Sequence, residues 1–304
     1  MKKFILKLVL FLFPLIIMGV LSEILIREIP NEYRYKKKYL DLNSKNIEVL
    51  FLGNSHGFYN INPKFISFRS FNAAHVSQSL DFDFKILKKY DQKWNDLKFI
   101  VIPISYVTFF ERLGTGSESW RVKNYSLYYG IKSKLQLANY SEVIGNKLSV
   151  NIDRLYSYYY QSKTNISCND LGWGTGFKST AQKDLYETGK DAAFRHTIDN
   201  DIIFKENCLI LNSIIRYCGR QNIKVLLFTP PAFHTYYDLI NKNQLNKTTS
   251  YSDYCQKNNH HVKYINLFTS HEFVESDFYD GDHLNEIGAK KLSQKINLLI
   301  NLQK

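Results

Sequence analysis

The stretch Ile47-Glu48-Val49-Leu50-Phe51-Leu52-Gly53-Asn54-Ser55-His56 sets the reading of this chain. Residues 47–53 are a short apolar run, rich in β-branched and aromatic side chains and ended by glycine, the pattern of a buried parallel strand entering a turn. Gly53 frees the backbone for a tight turn at that point. Ser55 then stands just past the strand's carboxyl end, where open α/β sheets bind their ligands.

Four further strands are expected at 69–73, 99–105 (FIVIPIS), 223–229 (IKVLLFT) and 262–268. Helical patterns fall between and after them, at 80–90, 201–221, 236–258 and 285–302. Strand and helix alternate, which predicts an α/β fold: a flavodoxin-like three-layer sandwich around a central, mostly parallel five-stranded sheet. Residues 107–200 break the alternation with a helical stretch at 129–148 and a Gly-rich segment at 170–179, and read as a helical insertion capping the site.

The N-terminus carries an apolar run over residues 4–21, preceded by Lys2 and Lys3 and interrupted by Lys7 and Pro14. With apolar residues continuing to Ile26 and no small-residue cleavage pattern, 4–26 is expected to be a transmembrane signal anchor. Residues 27–46 are polar and charged and read as a juxtamembrane linker. Lys2, Lys3 and Lys7 favour a cytoplasmic N-terminus, against competition from Arg27, Arg34 and Lys36 to Lys38, so the expectation is a single-pass protein of the cell membrane with its domain facing the periplasm or exterior.

Composition narrows the function classes. Hydrophobic residues make up 44% and charged residues 22%, ordinary globular usage that excludes both a disordered chain and a polytopic membrane protein. The net charge of +12 suits an anionic neighbour, but the basic residues are dispersed and no nucleic-acid-reading motif organises them. Cys168, Cys208, Cys218 and Cys255 show no zinc-ligand spacing, and nothing calls for a metal or a cofactor.

The chemistry is carried by a second block, Phe278-Tyr279-Asp280-Gly281-Asp282-His283-Leu284-Asn285, between the last strand and the last helix. A serine hydroxyl needs an adjacent base, and a histidine base needs a carboxylate to fix its tautomer. Asp280, three residues before His283, is the candidate orienter, with Ser55 as nucleophile. Asp282 is its rival and is expected to face away from the imidazole Nδ1.

A strand-end G-x-S followed by a D-x-x-H-L before the terminal helix resembles the first and last blocks of the SGNH (GDSL-like) hydrolase family, over roughly residues 47–302. The run Phe71-Asn72-Ala73-Ala74-His75-Val76-Ser77 is similar to the family's second block, with Ser77 aligned to its oxyanion glycine. The G-x-S-H form resembles envelope-polysaccharide branches of the family. The third block is absent: Ser105-Tyr106 stand where the family carries its oxyanion asparagine.

The resemblance implies a serine esterase or O-acyltransferase with an acyl-enzyme intermediate, acting on an ester, such as O-acetyl, of an envelope glycan or other acylated substrate. It implies Ser55, Ser77 and Ser105 as oxyanion donors. By their position beside these blocks and in the cap, Asn54, His56, His75, Tyr106 and Trp173 are the expected substrate contacts, with His56 itself pointing away from the nucleophile. The bilayer, through the N-terminal helix, and polysaccharide-assembly proteins are the expected partners. The alternative is a non-catalytic member of such an assembly that keeps the fold.

Overall fold

The computed structural model describes residues 1–133, 136–198 and 200–303. Five parallel strands form the sheet: β1 Val49–Phe51, β2 Ser70–Asn72, β3 Phe99–Pro103, β4 Lys224–Thr229 and β5 Val262–Asn266, in the order β2-β1-β3-β4-β5. Each pair is in parallel register, for example Leu50 opposite Phe71 and Ile100, and Val101 opposite Leu226. All five expected strands are present, shortened at their ends, and the doubly wound order is that of the flavodoxin-like class.

The helices in chain order are α1 Lys2–Glu28, α2 Glu32–Asn43, α3 Ser55–Phe58, α4 Leu80–Lys89, α5 Val122–Asn124, α6 Leu148–Tyr159, α7 Leu185–His196, α8 Asp201–Arg220, α9 His234–Tyr237, α10 Lys242–Asn258 and α11 Glu286–Asn301. Alternation along each strand divides the core. Val49, Phe51, Val101, Leu226 and Phe228 pack on one face with Leu292, Ile296 and Ile300 of α11. The intervening Leu50, Ile100, Val225 and Leu227 turn to the other face and are likewise fully buried, and there α8 packs on β4 and pairs with α4. Helix caps agree with the sequence: Asn285 accepts from the backbone N–H groups of Ile287 and Gly288 at the start of α11.

Two compact units divide the chain, one of residues 1–38 and 117–166, the other of 39–116 and 167–304. This revises the expected organisation in two places. Residues 27–46 are not an extended linker: α1 runs on to Glu28 and α2 follows, with Tyr33, Lys36 and Leu40 buried. Nor is 107–200 one insertion, since 117–166 packs with α1 while 107–116 and 167–200 belong to the sheet unit.

Sequence periodicity could not show either result, because both depend on which distant segment supplies the covering surface. The expected helix at 129–148 is also absent: Gly130 ends a short turn in the left-handed conformation and only a single turn at Leu137–Asn139 follows. Lys134 and Leu135, which fell in that expectation, lie outside the described residues.

Helix α1 is 27 residues long and exposes its side chains from Phe4 to Gly19 almost without interruption. It is long and apolar enough to cross a membrane or to serve as a signal sequence. Cys208, Cys218 and Cys255 are buried free thiols.

The turn after β1 is closely packed. Gly53 has φ +106, and a Cβ there would lie 2.6 Å from the Pro103 ring. Its N–H donates to the buried carboxylate of Asp83 at 2.8 Å. Gly53→Ala should therefore cost at least about 1–3 kcal/mol from backbone strain, read as a lowered denaturation midpoint at unchanged m-value.

Candidate active site

Because the strands are parallel, their carboxyl ends open on one edge, and the sequence-predicted residues collect there. Asn54 caps α3, its Oδ1 accepting from the N–H of His56 at 3.1 Å, which sets Ser55 as the first residue of that helix. Between β5 and α11 the chain doubles back. The N–H of Tyr279 donates to the carbonyl of His283 at 2.9 Å, while Asp280 Oδ1 accepts from the N–H of Asp282 at 3.2 Å and of His283 at 2.8 Å. The loop is pinned from α7, where a Cβ on Gly281 would meet Gly189 Cα at 2.2 Å and the N–H of Gly281 donates to Thr188 Oγ1 at 3.0 Å.

These constraints bring the three candidates together across 228 residues of sequence. Ser55 Oγ lies 2.8 Å from His283 Nε2, and His283 Nδ1 lies 3.0 Å from Asp280 Oδ1. The serine hydroxyl can donate to Nε2 only in the tautomer whose Nδ1–H points at the carboxylate. Ser55 and His283 are half-buried, so a substrate can reach them.

The structure corrects the expectation for Asp282. Its Oδ1 stands 3.3 Å from His283 Nδ1, so two carboxylates face one imidazole edge. Its Oδ2 accepts no hydrogen bond and lies 3.7 Å from His56 Nε2 and 3.8 Å from His196 Nδ1. Alternation within the loop had suggested that neighbours of His283 point away; the doubled-back chain turns Asp282 inward instead, and only 3% of it is exposed.

His56 is corrected in the same way. It is buried and stacks on His283 with ring centroids 4.6 Å apart and planes 15° from parallel, backing the imidazole. Burial, helped by the neighbouring His283 charge, pushes His56 down to about 3, and burial likewise lowers His196. Burial would lower His283 too, but the charges of Asp282 and Asp280 outweigh it and hold its pKa well above the ordinary imidazole value. Against its own burial, Asp282 is held below the carboxylate range by His283 above all.

The other expected contacts divide. Asn54 is half-buried at the site and donates from Nδ2 to Ser105 Oγ at 3.0 Å. Ser105 is buried, its hydroxyl 2.8 Å from Thr108 Oγ1 and its N–H donating to that same oxygen at 2.9 Å. Ser77 takes φ +59, the left-handed conformation that suits the glycine of the resembling block.

Three residues are not surface contacts. His75 is fully buried beside Phe58, and its N–H donates to the Gly53 carbonyl at 3.2 Å. Tyr106 is buried, its hydroxyl 3.0 Å from Thr197 Oγ1 and accepting from the N–H of Asn241 at 3.0 Å. Trp173 is buried and donates from Nε1 to the Tyr59 carbonyl at 2.5 Å.

Sequence reading missed His196 and Phe177. Phe177 stacks between Tyr59 at 3.6 Å and Tyr279 at 4.0 Å and meets His283 edge-on at 5.3 Å. Phe177 comes from the irregular stretch before α7 and His196 from the end of α7, and the only local signal was the Gly-rich run that contains Phe177.

His56, Asp282 and His283 offer possible metal-ligating atoms within 4.8 Å of one another. Both nitrogens of His283 already face partners, Ser55 and the two carboxylates, so the cluster reads as a hydrogen-bonding and charge-balancing network.

Neither a family model nor a curated relative matches the chain. The chain is similar to three solved structures. A proposed platelet activating factor from Streptococcus pneumonia is 13% identical with a TM-score of 0.45, covering 96% of this chain and 98% of that one. A proposed acylhydrolase from Bacteroides fragilis is 14% identical with a TM-score of 0.42, covering 88% and 96%. A GDSL-like lipase from Bacteroides thetaiotaomicron is 12% identical with a TM-score of 0.43, covering 90% and 100%.

The geometry generates two expectations. NMR titration should place the His283 pKa above the ordinary imidazole value, and Asp280→Asn and Asp282→Asn should each lower it, because either change removes a negative charge that favours the imidazolium. At Ser77, glycine relieves a left-handed strain of about 1–2 kcal/mol but adds unfolded-chain entropy, so Ser77→Gly should leave stability within about 1 kcal/mol of the parent. Ser77→Val, β-branched at a positive φ, should be distinctly destabilised in the same denaturation assay.

Proposed function

We propose that this protein is a membrane-anchored serine esterase or O-acyltransferase in which Ser55, His283 and Asp280 form the catalytic triad. The observation that carries the proposal is the continuous chain of contacts from Asp280 through both nitrogens of His283 to Ser55 Oγ. His283 Nε2 takes the Ser55 proton as Oγ attacks the ester carbonyl. The N–H groups of Ser55 and Ser77 hold the oxyanion.

Collapse of the tetrahedral intermediate breaks the ester C–O bond, and His283 returns its proton to the departing alcohol. Water or a sugar hydroxyl then gives a proton to His283 and attacks the acyl-serine, releasing an acid or a new ester and restoring Ser55. Asp282 is a positioning residue in this scheme, a second charge that stabilises the imidazolium.

Among the candidates for the missing third-block donor, Tyr106 spends its hydroxyl on Thr197 and the Asn241 N–H, and Ser105 is tied to Thr108 and Asn54. Oxyanion support thus rests on two backbone donors. Losing one donor costs about 10²- to 10³-fold in rate, so a slow enzyme suited to a fixed, locally concentrated substrate is the consistent reading. Helix α1 as anchor, a domain outside the cell membrane and a charge of +12 favour an O-acetylated envelope glycan as that substrate.

A fluorophosphonate serine probe on the full detergent-solubilised chain tests the proposal. Labelling should be lost in Ser55→Ala and reduced by at least about 10³-fold in His283→Ala. A folded protein that stays unlabelled beside an active control esterase would overturn it in favour of a non-catalytic partner in polysaccharide assembly.

A further inference from the structure

The unit made of residues 1–38 and 117–166 encloses an ion cluster. Beside apolar and aromatic residues such as Ile26 and Tyr125, Glu142, Lys123 and Asn151 are all buried. Lys123 Nζ and Arg154 Nη1 meet Glu142 Oε2 at 3.0 and 2.8 Å, and Asn151 Nδ2 donates to the Glu142 carbonyl at 3.1 Å. Its exterior is apolar. Ile144, Leu148, Ile152, Tyr156 and Tyr160 follow one another at four-residue spacing, forming a single stripe along α6 and its flanks, and every one is more than half exposed.

A helix facing water turns such a stripe inward. Here the opposite side, Asn151 and Arg154, faces the Glu142 cluster, so α6 offers its apolar side to its surroundings. A contiguous exposed apolar face of this kind marks an interaction surface.

The attachment of α6 to α1 says what covers it. Glu23 of α1 accepts from Ser141 Oγ at 2.8 Å and from the N–H groups of Glu142 at 3.0 Å and Val143 at 2.9 Å, immediately before Ile144. At the other end, the Tyr159 hydroxyl donates to the Leu25 carbonyl at 3.1 Å. Both ties fall where the exposed apolar surface of α1 ends. From Phe4 to Leu25 the helix rises about 32 Å, close to the thickness of a bilayer's hydrocarbon core. The stripe therefore continues the apolar surface of α1 at the level of the headgroups, where Tyr156 and Tyr160, stacked 5.3 Å apart, match the tyrosine-rich belt of membrane proteins.

We infer that α6 is an interfacial helix, lying in the headgroup–acyl boundary of the bilayer that α1 spans, with Ile144, Leu148, Ile152, Tyr156 and Tyr160 buried in lipid. The inference rests on the reading of α1 as the membrane anchor. Paired and enclosed, the charges of Glu142, Lys123 and Arg154 are kept off the stripe, and so let it enter the boundary. The second role of the unit is to hold the chain to the membrane at two points instead of one.

The test uses the full chain in phosphatidylcholine–phosphatidylglycerol vesicles. In a Cys168→Ser background, in which the remaining cysteines are buried, a nitrobenzoxadiazole dye is attached to Phe11→Cys on α1, Leu148→Cys or Ile152→Cys on α6, or Leu209→Cys on the exposed side of α8. Lipids doxyl-labelled near the headgroup serve as quencher for 148, 152 and 209, and lipids doxyl-labelled near the end of the acyl chain for 11. Quenching at 148 and 152 at least about twofold stronger than at 209, with a blue-shifted emission, is expected for side chains in the boundary. Quenching at 11 but none above the 209 level at 148 and 152 overturns the inference, leaves the anchor intact and points to a protein covering α6. Absence of quenching at 11 overturns the anchor reading, and the inference falls with it.

Discussion

Everything at the candidate site depends on the parallel pairing of the strands. A parallel ladder sends every strand's carboxyl end to the same edge. Ser55 after β1, Ser77 after β2, Ser105 after β3 and the 278–285 loop after β5 are thereby delivered to one place, although the first and last lie more than 220 residues apart. The crossover from β1 outward to β2 and back to β3 puts the serine strand inside the sheet, with a neighbour on each side. Gly53 follows from that position, because Pro103 of the adjacent strand leaves no room for a Cβ.

The second organising element is the charge balance around His283. One imidazole edge faces two carboxylates, one of them almost wholly buried, and two further histidines enclose the buried one. A buried carboxylate without compensation is costly, and an imidazolium beside it offsets that cost. Burial lowers His56 and His196, while the carboxylates raise His283, so that of the three rings the one that touches Ser55 is the best placed to take up a proton. The same environment that keeps Asp282 ionised would stabilise an imidazolium formed during proton transfer.

The two units differ in what they leave exposed. Around the sheet, aliphatic and aromatic side chains from β1, β3, β4 and α11 close a dry interior. In the unit containing α1, an ion cluster on Glu142 is enclosed while leucine, isoleucine and tyrosine face outward. Apolar exposure costs free energy in water and little in lipid, so the contrast fits two different surroundings.

By itself the sequence determined the alternation of strands and helices, the apolar α1, and Ser55, Asp280 and His283 as the residues to watch. Those features are local: strand runs of apolar residues, a glycine turn, and an acid three residues before a histidine are legible at short range. The tertiary structure alone decided what depended on distant surfaces. The doubled-back loop turned Asp282 toward His283, the stacking of His56 on His283 joined two ends of the chain, and Phe177 from an irregular stretch and His196 from the end of α7 were brought in. His75, Tyr106 and Trp173, plausible contacts by position, became interior residues because neighbouring segments cover them. The division of 107–200 between two units was hidden for the same reason: an amphipathic pattern records that one side of a helix is apolar, and not whether that side will meet a protein core or stay exposed.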